Sequence, residues 1–254
     1  IFSDILLVPW ALNRNVRFEI GIGPLLDPLD KPDQISTDCL DNICRNLAPV
    51  ADAVKLTKSS LPKETTLIGF AGAPWTLVTY IAEGKSSRDF SKARLWAWDE
   101  KTALDKLIEV LVEATISFLT LQAEAGAECL MLFDSWANAV PATQRDWLVI
   151  KPTRDIINGV RRLGYSQPII GFPKGLGEGL IKYAAETGVD AIGLDHGVDP
   201  FWANKYLPKK LPVQGNLDPL SLLSAEHAML RNIDQILEAF YDRPHIFNLG
   251  HGIT

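Results

Sequence analysis

Short runs of β-branched and aromatic residues recur along the chain, each followed by a longer stretch with helical spacing. The short runs cover residues 2–8, 66–70, 128–133, 168–172, 191–194, 212–214 and 245–249. They are almost continuously apolar, as strands are when both faces of a parallel sheet are covered. The longest helical pattern spans 96–125, and 154–163, 178–187 and 225–240 are clearer still. Gly126, Gly164 and Gly188 follow three of these patterns, where a left-handed residue closes a helix. Residues 13–32 break the rhythm, and Val16-Arg17-Phe18-Glu19-Ile20 followed by Gly21-Ile22-Gly23-Pro24 reads as a small hairpin.

Strand–helix alternation implies parallel strands joined by right-handed crossovers. The expected strands fit a doubly wound sheet or an eight-stranded barrel short of one strand. The pattern begins inside a strand and stops just after the last one, without a closing helix. The expectation is therefore an α/β fold, a (β/α)8 TIM-type barrel lacking its first β/α unit and its C-terminal helix. No linker divides residues 1–254, which read as a single domain.

Composition narrows the function. Hydrophobic residues make up 47% of 254, enough for a large core, yet no run is long and apolar enough to span a membrane. The net charge is −6, and no basic block points to nucleic acid. Three cysteines (Cys39, Cys44, Cys129) form no CxxC and suit reduced thiols of a cytosolic protein. No HxH or HExxH suggests a metal site, and no GxSxG elbow suggests a nucleophile.

In a barrel, active-site groups sit at the C-terminal ends of the strands. Polar and glycine-rich segments fall there repeatedly. Asp4 lies among apolar neighbours and reads either as a functional carboxylate or as a salt-bridge or helix-cap residue. Gly69-Phe70-Ala71-Gly72-Ala73-Pro74-Trp75-Thr76 allows close backbone approach before a helix that opens at Pro74. Tyr80 within that helix either reaches the barrel mouth or rests half-buried against its wall. Phe133-Asp134-Ser135-Trp136 ends the next run, where Ser or Asp commonly caps a helix. Later ends read Phe172-Pro173-Lys174-Gly175, Leu194-Asp195-His196, Gln214-Gly215-Asn216-Leu217-Asp218-Pro219 and Asn248-Leu249-Gly250-His251-Gly252. Of the four histidines, only His196 and His251 fall at this end.

Five of the segments, Phe2-Ser3-Asp4-Ile5-Leu6, Gly69-Phe70-Ala71-Gly72-Ala73-Pro74-Trp75-Thr76 running on to Tyr80-Ile81-Ala82-Glu83-Gly84, Phe133-Asp134-Ser135-Trp136, Gln214-Gly215-Asn216-Leu217-Asp218-Pro219 and Asn248-Leu249-Gly250-His251-Gly252, resemble the uroporphyrinogen decarboxylase family in order and spacing along the whole chain. The resemblance implies a cofactor-free lyase of porphyrin synthesis, a cytoplasmic homodimer. It converts the four acetate side chains of uroporphyrinogen III to methyls and gives coproporphyrinogen III. It implies a tetrapyrrole substrate and no metal, nucleic-acid or membrane partner. By the same resemblance Asp4 faces the pyrrole N–H groups as the catalytic carboxylate. Tyr80, Ser135 and His251 hold substrate carboxylates or sit beside the reacting acetate, and Phe70 and Gly72 line the cavity. The family's Arg-Gln-Ala-Gly-Arg-Tyr segment is absent, and Arg14, Arg17 and Arg45 stand in no such motif. A polycarboxylate needs cations to hold it, so this chain is expected to bind the substrate poorly and to turn over little. A zinc-dependent methyltransferase of the same superfamily would need an HxC and a further Cys, and a non-catalytic tetrapyrrole-binding protein would not need Asp4.

Overall fold

Asp4 opens the described part of the computed structural model, which comprises residues 4–19 and 23–253. Its side chain accepts the Leu6 backbone N–H at 2.7 Å. Such local bonds let Asp favour a turn over extended structure. Helix α1 (Leu7–Ala11) follows directly. The strand expected over 2–8 is corrected by this: residues 5–11 are a turn and a helix, and Phe2 and Ser3 lie outside the described residues. A short apolar run cannot by itself distinguish a strand from a buried helical turn. Here Leu6, Val8, Ala11 and Leu12 enter the core from the turn and helix.

The expected hairpin is β1 (Val16–Glu19) antiparallel to β2 (Gly23–Leu26), with Val16 opposite Leu26. Its arginines are engaged just beyond it. Arg17 donates to the Asp27 carboxylate at 2.6 Å, and Arg14 to the Asp27 carbonyl at 2.7 Å. Helix α2 (Ile43–Ser60) is an element the sequence pattern had not singled out. It buries only Ile43, Leu47 and Ala51, a stripe too narrow to stand out.

One sheet of six parallel strands carries the rest. It runs β3 (Ile68–Gly72), β4 (Cys129–Asp134), β5 (Ile169–Pro173), β6 (Ala191–Gly193), β7 (Val213–Leu217) and β8 (His245–Leu249), in chain order. Between β3 and β4 come α3 (Pro74–Glu83), α4 (Ser91–Asp99) and α5 (Lys101–Glu124). The single helix expected over 96–125 is thus two, broken where Glu100 leaves helical geometry at φ −121 and ψ 36. Then α6 (Lys151–Arg162), α7 (Gly179–Glu186), α8 (Pro200–Tyr206) and α9 (Glu226–Phe240) alternate with the strands. Gly126, Gly164 and Gly188 close their helices with φ of +111, +88 and +80.

The core lies between sheet and helices. Leu104, Leu107, Leu111, Ala114 and Phe118 of α5 repeat at three- and four-residue spacing and are buried. Each leucine or phenylalanine of this kind contributes about 1.5–3 kcal/mol through removal from water. The edge of the sheet at β3 is covered from α5. The Phe70 N–H donates to Gln122 Oε1, and Gln122 Nε2 donates to the Phe70 carbonyl, both at 2.9 Å. Gly69 makes room for this: a Cβ there would stand 3.0 Å from Gln122 Oε1.

Candidate active site

The C-terminal ends of the strands surround a cavity of about 640 Å³. Alternation along each strand turns every second side chain toward it. β3 supplies Phe70, β4 supplies Met131 and Phe133, β5 supplies Phe172, β7 supplies Gln214 and β8 supplies Asn248. Phe133 and Phe172 are register partners, and Phe133 meets both Phe70 and Phe172 edge-on at 5.7 Å between ring centroids. The floor is therefore aromatic and apolar, suited to a flat ring system.

Polar groups rim this floor. Asp4, Tyr80, Ser135, Gln214, Asn248 and His251 all line the cavity, so five of the six residues singled out in the sequence share one wall: Asp4, Phe70, Tyr80, Ser135 and His251. The sixth, Gly72, is placed elsewhere. It is not part of the wall, and a Cβ on it would stand 2.8 Å from Leu77 Cδ2 and 3.2 Å from the Ile5 carbonyl. Its lack of a side chain lets the Asp4–Ile5 turn pack on β3 and α3. Gln214 and Asn248 belong to the wall without having been named from the sequence. Both lay inside motifs quoted there, and on β7 strand alternation separates Gln214 from Gly215.

Helix α3 brings Tyr80 to the wall. Pro74 opens it without losing a needed N–H. Gly84 closes it in the left-handed region, its N–H donating to the Tyr80 carbonyl at 2.8 Å. Nine consecutive residues of α3, from Pro74 to Ala82, are buried, so Tyr80 is rigidly held.

Electrostatics distinguish the polar groups. Burial raises the Asp4 carboxyl above its ordinary value, against the Leu6 N–H bond, which lowers it. Burial also raises the Tyr80 phenol, and the Asp4 charge adds to the effect. Burial lowers the His251 imidazole, helped by the positive charge of Lys174. Burial thus favours the neutral forms of His251 and Tyr80 and leaves Asp4 short of solvation, so that its carboxylate gains more than a solvated one from N–H donors. Asp4 is the only acid among the described residues of the wall, and no Lys or Arg is among them. No group of three His, Cys, Asp or Glu among the described residues is placed to hold a metal. No described helix is long and apolar enough to cross a membrane.

Comparison with known proteins places the chain in a family. Residues 1–254 match the family model for uroporphyrinogen decarboxylase. The uroporphyrinogen decarboxylase of Maricaulis maris is 46% identical over 254 residues, covering 100% of this chain and 73% of that protein. That of Novosphingobium aromaticivorans is 46% identical over 255 residues, covering 100% and 74%, and that of Hyphomonas neptunium 44% over 253, again 100% and 74%. Among solved structures, a methyltransferase from Methanosarcina mazei superposes with a TM-score of 0.79 at 13% identity, over 100% of this chain and 74% of that one. At that identity the likeness speaks to fold alone, and the fold is of the TIM-barrel type. Matched from end to end by the family model and by relatives close to half identical, the chain belongs to the uroporphyrinogen decarboxylase family.

Proposed function

We propose that the cavity binds uroporphyrinogen and that Asp4 drives loss of carbon dioxide from its acetate side chains. Membership of the family makes the chain a carboxy-lyase acting on a tetrapyrrole. Breaking the bond to the carboxylate leaves an electron pair that needs a sink. A proton added to the pyrrole ring makes that sink within the substrate. The electron pair flows into the cationic ring as carbon dioxide leaves, a second proton adds to the exposed carbon to make the methyl, and the ring releases the first proton to restore the pyrrole, so that one proton net replaces the carbon dioxide. A fixed carboxylate facing the pyrrole N–H groups stabilises the cation as it forms. Tyr80, Ser135 and His251 supply neutral hydrogen-bonding groups for substrate carboxylates, and Phe70 packs on the macrocycle.

The observation that supports this reading is the meeting of one poorly solvated carboxylate with three neutral polar groups over an aromatic floor. Replacing Asp4 by Asn is expected to lower kcat by ~10²–10³, the usual worth of one such preorganised contact. Unchanged turnover in a folded Asp4→Asn protein would overturn it. With no Lys or Arg on the described wall, uroporphyrinogen is expected to bind weakly, as fluorescence titration under anaerobic conditions would measure.

We further read residues 1–254 as one domain in a cytoplasmic homodimer. One buried apolar cluster extending from Leu6 to Phe240 supports the single domain. Exposed Leu220, Leu223 and Tyr241 offer apolar surface for a partner copy, and the three described cysteines are free. Light scattering on the purified chain decides between monomer and dimer.

A further inference from the structure

Asp134 ends β4 between Phe133 and Ser135, both of which line the cavity. Alternation turns its own side chain the other way, into the layer between sheet and helices, where it is 1% exposed. There the Thr76 hydroxyl donates to Asp134 Oδ1 at 2.6 Å. The same Thr76 oxygen accepts the Trp136 backbone N–H at 3.1 Å. The Trp75 indole N–H donates to the Trp136 carbonyl at 3.0 Å, and the Lys174 backbone N–H to the Asp134 carbonyl at 3.1 Å. Both neighbours of Ser135 are thus pinned, and it is the residue between them whose side chain meets the cavity.

From this we infer that Thr76 and Asp134 form a positioning pair that fixes Ser135 at the cavity wall; the inference rests on the proposed role of Ser135 in holding the substrate. Thr76 and Tyr80 are four residues apart and share one face of α3. One helix face therefore sets both polar groups relative to each other. A hydroxyl that donates its single proton to a carboxylate keeps its lone pairs for the Trp136 N–H. Its bond to the Asp134 carboxyl oxygen polarises the hydroxyl and strengthens that second bond. The arrangement is expensive. Asp134 Oδ2 is buried without a partner, and burial pushes the carboxyl up to about 7, against the Thr76 bond that lowers it. A helix cap or strand end needs no such acid, since an exposed Ser or Asn would serve.

The test is a double-mutant cycle on kcat/KM for coproporphyrinogen formation, in which even slow turnover suffices because ratios are compared. Thr76→Val is expected to lower kcat/KM about tenfold to a hundredfold, with Thr76→Ser restoring most of it. In a Ser135→Ala background, Thr76→Val is expected to cost little more. Equal losses in both backgrounds would overturn the pair. If Thr76→Val folds poorly, Thr76→Ala in the same two backgrounds reads the same coupling. An unchanged kcat/KM in Ser135→Ala overturns the role of Ser135 itself, and the pair with it.

Discussion

Gln122 stands in for a neighbouring strand at Phe70. Its amide accepts the Phe70 N–H and donates to the Phe70 carbonyl, both at 2.9 Å, on the outer edge of β3. Both Phe70 backbone groups on the side of β3 away from β4 are thereby engaged by Gln122. Because Phe70 lies on the cavity floor, the clasp ties helix α5 to the site. Gln122→Leu keeps the volume and removes both bonds. Roughly 0.5–1.5 kcal/mol of stability is expected to go with each hydrogen bond removed. The urea midpoint should fall at unchanged slope, whereas an unchanged midpoint would show that the clasp contributes nothing.

Asp134 makes stability depend on pH. Burial, its largest influence, raises it from 3.8 to about 7. In the unfolded chain it loses its proton near the ordinary value, while in the folded chain it keeps it. The folded state therefore binds more protons in between, and stability falls as pH rises toward 7, by on the order of 4 kcal/mol at most. Asp134→Asn removes this dependence. Its stability relative to the parent chain is expected to improve steadily from about pH 4 to about pH 8, by chemical denaturation at each pH. The opposite trend would contradict a buried acid.

The His251 pKa is lowered by burial first and by the charge of Lys174 second. Lys174→Met removes the nearby charge and leaves the burial. The His251 pKa is expected to rise by part of its depression. Proton NMR titration of the imidazole follows it; no movement would place the cause in burial alone.

Gly72→Ala tests the packing of the Asp4 turn. The new methyl would meet Leu77 at 2.8 Å and the Ile5 carbonyl at 3.2 Å. Overpacking of this kind costs about 1–3 kcal/mol. Because Ile5 follows Asp4, kcat is expected to fall as well, with a lowered thermal midpoint. An active variant of normal stability would show that the turn can yield.

Much of this was legible in the sequence because parallel strands announce themselves. The apolar runs ending at Phe133, Phe172 and Leu249 coincide with β4, β5 and β8 within a residue. The glycines at 126, 164 and 188 mark helix ends through their backbone freedom. What escaped was decided by contacts distant in sequence. The run Ile5–Leu6–Leu7–Val8 carries a strand's composition, but a bond from Leu6 to Asp4 and burial against the core make it a turn and helix. Gln122 looks like any polar residue on a long helix until Phe70 is brought beside it. Asp134 reads as a cap, and only its 1% exposure shows a buried acid. Gly72 sits in a motif that suggests contact with a ligand, and its neighbours prove to be Ile5 and Leu77.

The cavity takes Asp4 from the first described turn and His251 from beyond β8. All six strands lie between them along the chain, so their meeting is a contact of very high order, late and slow to form. During synthesis the rings of Phe70, Phe133 and Phe172 can gather long before His251 has left the ribosome. The hydrophobic floor precedes the polar rim, and the reactive set closes only when the whole sheet has assembled. A half-made molecule of this kind has the floor without the full rim.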